Sequence, residues 1–268
     1  MKRSHIETIK ITHGVYHINI KDANVRVLCG TPCDVVKLLM KKELIVPKMK
    51  NGFFCESGPN AILLSDITIQ NFSFSNLCEF PILQMLYRQG MGIPNHPNNT
   101  GEKPIVMGLK EQVDSQIEYI FRGNYGLISQ EEIEQAGISK EVAQKMMSMK
   151  LKFAFGAIKS SAELINSIYL DDNNVTQINN EVYIKRDSLN TYTISYKDET
   201  VTVNLNLEDN EQYEVPYELD FFNTKKSYFS VIHSGQGDGW SVNHPSMSSV
   251  VMFHGKIYLI DAGPNIQD

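Results

Sequence analysis

The chain has 268 residues, 42% of them hydrophobic and 21% charged, which fits a folded globular protein of two ordinary domains and excludes extended disorder. Its net charge of -6 argues against general attraction to nucleic acid or to an anionic membrane surface. No window reaches the roughly 18 apolar residues of a membrane-spanning helix, and no apolar run follows the charged start "MKRSHIETIKITHG" as in a secretory signal, so a cytoplasmic protein with reduced cysteines is expected.

The first thirty residues alternate as strands do: "IETIKI", a turn at "THG", "VYHINI", then "VRVLCG". "TPCDVVKLLMKKELI" reads as a helix with Thr31 as N-cap and Pro32 at the first position. The Gly30-Thr31 turn, at a helix start after a strand, is a candidate anion site, although Pro32 removes a donor and simple capping explains the same residues. "GFFCESGPNAILLSD" reads as two short strands around a Gly-Pro turn, and "NLCEFPILQMLYRQG" as a helix closed by Gly90 with Pro81 in its first turn. The irregular segment 91–104, with His96, Asn98, Asn99 and Lys103, is either a binding loop or a solvated connector.

Three further helices follow, "LKEQVDSQIEYIFRG", "SQEEIEQAG" and "SKEVAQKMMSMKLKFAFG", each closed by a glycine and the last two opened by Ser129 and Ser139. Lys145, Lys150 and Lys152 lie along the last and read as a solvated face. After about residue 172 the period returns to two, and "EVYIKR", "TYTISYK" and "TVTVNLNL" predict a meander. Residues 1–207 thus read as a mixed α/β leading domain, 208–227 as a linker, and 228–268 as the start of a new β-rich unit. The cysteines, Cys29, Cys33, Cys55 and Cys78, lack the Cys-x-x-Cys spacing of a metal or redox centre and read as small buried or helix-start residues. Cys55 and Cys78 each precede a glutamate, which works against a thiolate.

The last unit carries the most specific pattern. A strand over Phe229 to His233 enters the glycine-rich "SGQGDGW"; Ser248-Ser249 leads a second strand, His254-Gly255 turns it, and the strand from Lys256 to Ile260 ends at Asp261-Ala262-Gly263-Pro264. In this order the residues resemble the opening of the metallo-β-lactamase fold, nearest the branch of phosphodiesterases and ribonuclease Z-like hydrolases. The resemblance implies an α/β protein in which 228–268 supplies the first strands of an αββα sandwich. It also implies two divalent ions, zinc, manganese or iron, that activate water against a phosphodiester or related ester, with a small-molecule or nucleotide-type substrate.

Family ligands come from an H-x-H-x-D-H loop after the next strand, and the seven histidines here contain no such pair. The resemblance therefore carries over only Asp261, as the carboxylate that buttresses the site, and places Asp238 and His244 on the loop facing the pocket. For Asp238 an Asx turn, and for His244 an ordinary loop position before Pro245, explain the residues equally. The chain by itself is expected to be silent in this chemistry, with its metal ligands beyond residue 268. The other reading, a stand-alone ligand-sensing or protein-interaction domain without catalysis, stays open. The apolar hairpin "VVMFHGKIYLI" is expected to be covered by the leading domain or by another copy of the chain in a homo-oligomer.

Overall fold

Three hydrophobic clusters organise the chain around one central sheet. The computed structural model describes residues 4–172, 174–179, 181–219 and 225–261. A hairpin of β1 (Glu7–Thr12) and β2 (Val15–Ile20) continues antiparallel into β3 (Val25–Cys29). From there β6 (Ala61–Leu63), β9 (Ile105–Gly108) and β10 (Asn166–Tyr169) add in parallel, giving the order β1-β2-β3-β6-β9-β10.

Parallel strands are buried on both faces, and the side chains here divide accordingly. Val27, Cys29, Ala61, Leu63 and Met107 pack against a four-stranded meander of β11 (Val175–Asn179), β12 (Val182–Ser188), β13 (Thr191–Tyr196) and β14 (Glu199–Asn204). On the opposite face Ile62, Leu64 and Val106 meet the helical layer of α2 (Glu79–Leu83), the π-helical turn Gln84–Arg88, α3 (Lys110–Tyr125) and α6 (Ser161–Leu164). Helix α1 (Val35–Lys41) covers Ile11, Val15 and Leu28 on that same side. The result is a three-layer, mixed α/β body.

Two small hairpins ride on the body: β4 (Pro47–Lys50) with β5 (Phe53–Glu56), and β7 (Ile69–Gln70) with β8 (Ser73–Phe74). Beyond α3, which Gly126 closes, α4 (Gln130–Gln135) and α5 (Lys140–Phe153) form a helical projection followed at their ends by Gly137 and Gly156, all three glycines at positive φ. Ser129 caps α4 by accepting the Glu132 amide. The last sheet, β15 (Phe229–Ser234), β16 (Ser248–Phe253) and β17 (Lys256–Ile260), is antiparallel throughout.

Several local expectations change. Thr31 is not the N-cap of α1: the helix starts at Val35 behind Asp34, whose φ is +58°, while Thr31 bridges to Asn76. The residue before a proline is pushed towards extended backbone, which fits Thr31 in a bridge better than in a cap. The helix expected up to Gly90 is a single α turn followed by the π turn. Ile105–Gly108 and Asn166–Tyr169, which the helical stretch concealed, are strands.

Residues 208–219 run along the body as a hydrogen-bonded strap. Asn71 Nδ2 donates to the carbonyls of Glu208 and Glu211, the Tyr213 hydroxyl donates to Ser75 Oγ at 3.0 Å, and the Tyr217 hydroxyl donates to Asp34.

Candidate functional site

The antiparallel register settles which parts of the last sheet share an end. Ser234 pairs with Ser248, and Ser249 pairs with Ile260, so the loop 235–247 and Asp261 lie at the same end, opposite the His254-Gly255 turn. Ser248 Oγ donates to the Ile260 carbonyl across that end. Asp261 is exposed with φ +52°; the Ala-Gly-Pro that follows lies outside the described residues.

Asp238 and His244 both sit on the loop. The Asp238 carboxylate accepts the amides of Trp240 at 3.1 Å and Ser241 at 2.9 Å, which is an Asx turn. His244 Nδ1 shares a 3.0 Å hydrogen bond with Ser241 Oγ. The loop is pinned at its base, where the Gly237 amide donates to the Pro245 carbonyl and the Met247 amide to the Gly237 carbonyl.

This end of the sheet is docked on the helical side of the body by two contacts. Trp240 lies 5.0 Å edge-to-face from Phe80, and the Arg88 guanidinium stacks 4.6 Å from the indole. Glu56 fixes Arg88 by accepting its Nε at 2.8 Å. Gly239 makes the approach possible: at φ +42°, a Cβ there would stand 2.5 Å from the Phe80 ring.

The second contact is Lys37, fully buried on α1. Its ammonium pairs with Asp34 Oδ1 at 3.0 Å, donates to the His244 carbonyl at 3.2 Å and to Ser246 Oγ at 3.4 Å, and lies over the Tyr217 ring. A buried ammonium needs this saturation of donors, since an unpaired one would cost several kcal/mol. Lys37 is the residue that sequence reading missed; the trace it leaves is an Asp34-x-x-Lys37 pair at helical spacing inside an apolar stripe.

At the Gly30-Thr31 turn the amides are already used. The Gly30 amide donates to Leu63 at 2.8 Å and the Thr31 amide to Ser75 at 3.2 Å, and the Asp34 carboxylate stands at the start of α1. Thr31 Oγ1 is buried without a partner among the described residues. In the 91–104 loop, His96 is buried against Phe53, Asn98 Nδ2 donates to the Gln89 carbonyl and Asn99 Nδ2 to the Ile93 carbonyl, so these amides serve the loop's own fold.

Among the described residues no cluster of three or more His, Cys, Asp or Glu is placed to hold a metal ion. His233 Nδ1 is engaged by Ser249 Oγ and His254 Nε2 by the Tyr228 hydroxyl at the far end of the sheet. Burial pushes the Cys33 thiol up to about 11 and Cys78 to about 12, and raises Cys29 further, so these thiols are held protonated at neutral pH.

A second polar centre, also missed from sequence, lies where β6 ends. Asp66 accepts from Arg186 Nε at 2.9 Å, the Asn190 amide at 2.7 Å and the Tyr192 hydroxyl at 2.6 Å. Gln70 joins Ser75, Tyr213 and the Leu205 carbonyl nearby. This network ties meander, sheet and strap together, and its bonds are made within the protein.

No family model and no curated protein matches this chain. Among the described residues no helix is long and apolar enough to cross a membrane.

Proposed function

We propose that the chain is the N-terminal part of a metal-dependent hydrolase of the metallo-β-lactamase superfamily, acting on a phosphodiester or related ester. Its two divalent ions would be held by residues beyond 268. The observation that carries this reading is the last sheet. Val231, Val251 and Tyr258 line one face in register, and Ile232, Val250 and Leu259 the other. Apolar side chains on both faces are the mark of a strand set inside a layered domain, with further layers to come. The glycine loop and Asp261 share the end where a buttressing carboxylate would be needed.

In this proposal Asp261 orients a ligand or a backbone amide, the Asp238 turn shapes the loop, and the body supplies the platform that holds the loop through Lys37 and Trp240. No step of the reaction is assigned to the residues present. The whole protein is proposed to be cytoplasmic.

The test begins with the natural gene product past Asp268. An H-x-H-x-D-H motif shortly after it is expected, and its absence sinks the proposal. The longer protein should retain divalent metal after dialysis and hydrolyse bis(p-nitrophenyl) phosphate. Asp261→Ala in that protein is expected to weaken metal retention about 10–100-fold, the usual effect of removing a carboxylate that supports a ligand. The opposite result, a longer protein with neither metal nor activity, would favour a sensing or interaction domain.

A further inference from the structure

Helix α5 buries Ala143, with α4 packed beside it, and the buried Ala154 follows at its C-cap. An apolar stripe of Val142, Met146, Met149 and Phe153 has helical spacing but remains 46, 38, 71 and 70% exposed. A groove of about 350 Å³ lies between Met149 and Phe153 on this stripe and Asn124 and Tyr125 of α3. An exposed stripe of this kind, rich in adaptable methionine, is characteristic of a contact surface.

We propose that this stripe is the contact face of a weak homodimer, in which α5 helices from two copies of the chain pair antiparallel about a two-fold axis. Such an interface must be complementary to itself. Antiparallel alignment centred between Met147 and Ser148 sets Val142 of each copy against Phe153 of the other, and Met146 against Met149, small against large and like against like in volume. Glu141 and Lys152 fall on the same flank of the stripe, so the same alignment brings each Glu141 to a Lys152 twice over. Parallel pairing would instead put the Glu141 and Lys152 flanks of the two copies on opposite sides of the interface, where neither residue meets its counterpart. Lys152 has no ion-pair partner among the described residues, whereas Glu141 is held only by exposed Lys145 at 3.0 Å within its own helix.

The charge count disfavours an anionic membrane as the occupant. Lys145 is paired with Glu141, Lys150 donates to the Tyr125 carbonyl at 2.5 Å, and the chain as a whole carries -6. The 14-residue helix is only about 21 Å long, and four partly exposed side chains fall short of the ~800 Å² per partner of a stable complex. The dimer is therefore weak and concentration-dependent.

Sedimentation velocity of the 268-residue chain from about 1 μM to about 200 μM tests this. A monomer-to-dimer shift within that range is expected, and Met149→Glu, on an exposed position, should move it at least about tenfold higher in concentration. Lys152→Glu should also weaken the dimer, and Glu141→Lys added to it should restore association. A monomer at every concentration overturns the proposal, as does a dimer indifferent to Met149→Glu, which would point to the exposed last sheet. A double charge reversal no better than the single, or binding to phosphatidylserine vesicles by a monomer, also overturns it.

Discussion

His17 lies on β2 opposite Ile9 and Leu28, almost fully buried, and neither ring nitrogen has a hydrogen-bond partner among the described residues. Burial, with the Arg26 cation nearby, depresses its pKa from 6.5 to about 4. The unfolded chain takes up a proton near pH 6.5 and the folded chain only near pH 4, so protons favour the unfolded state in between. The stability contributed by the neutral ring is complete above pH 6.5 and falls by about 3 kcal/mol as the pH drops from 6.5 to 4, at ~1.4 kcal/mol per pH unit. Urea midpoints at pH 7, 5 and 4 should therefore decline steeply for the native chain, and His17→Leu should flatten that decline while raising stability at pH 7. An unchanged slope in the variant would show that other groups govern it. The sequence could not signal this role, because "VYHINI" places histidine in an ordinary alternating strand, and its burial comes from packing with residues outside that strand. Asp238 was the opposite case: between glycines and two residues before Trp240, it offered an Asx turn as one of two readings, and that turn forms because its bonds are local.

At the scale of elements, legibility follows the range of the interactions. The ends of α4 and α5 were readable because caps and glycine terminators act within a few residues, whereas α3, expected to close at Gly123, runs through that glycine to Tyr125 and is closed by Gly126. The strands "IVMG" and "NSIY" were not, because each is four residues long and exists through parallel partners far away in the chain. The docking loop belongs to this second kind. Gly239→Ala should cost roughly 1–2 kcal/mol in backbone strain at positive φ and push the loop off Phe80. Trp240 is the only tryptophan in the chain, so its fluorescence reads this contact directly. The variant is expected to emit at longer wavelength and to be quenched more readily by acrylamide; identical spectra would show that the loop accommodates the methyl without moving.

For the molecule as a whole, the mixed α/β class and three of the meander's four strands were legible from periodicity, whereas β11 and the three-layer stacking were not, since no local pattern says which face of a sheet a meander covers. The apolar hairpin of the last sheet was expected to be covered by the leading domain or by another copy of the chain; within one chain Val231, Ile257, Tyr258, Leu259 and Ile260 stay about half exposed, and the leading body holds the sheet at its loop end. The folded 268-residue chain should therefore bind the dye ANS while keeping its near-ultraviolet dichroism. Leu259→Lys with Ile257→Lys should reduce that binding with a stability change of only about 0.5 kcal/mol per position, as for other surface substitutions. Dye binding unaffected by the pair would place the exposed apolar surface elsewhere. The buried Lys37 gives this arrangement an order in time. Chains emerge from the ribosome amino end first and domains fold as units, so Asp34, Lys37 and the Phe80–Arg88 platform emerge before the loop 235–247 that they hold. A leading body that folds first would act as a template, catching the glycine loop as it appears and holding the last sheet in one orientation.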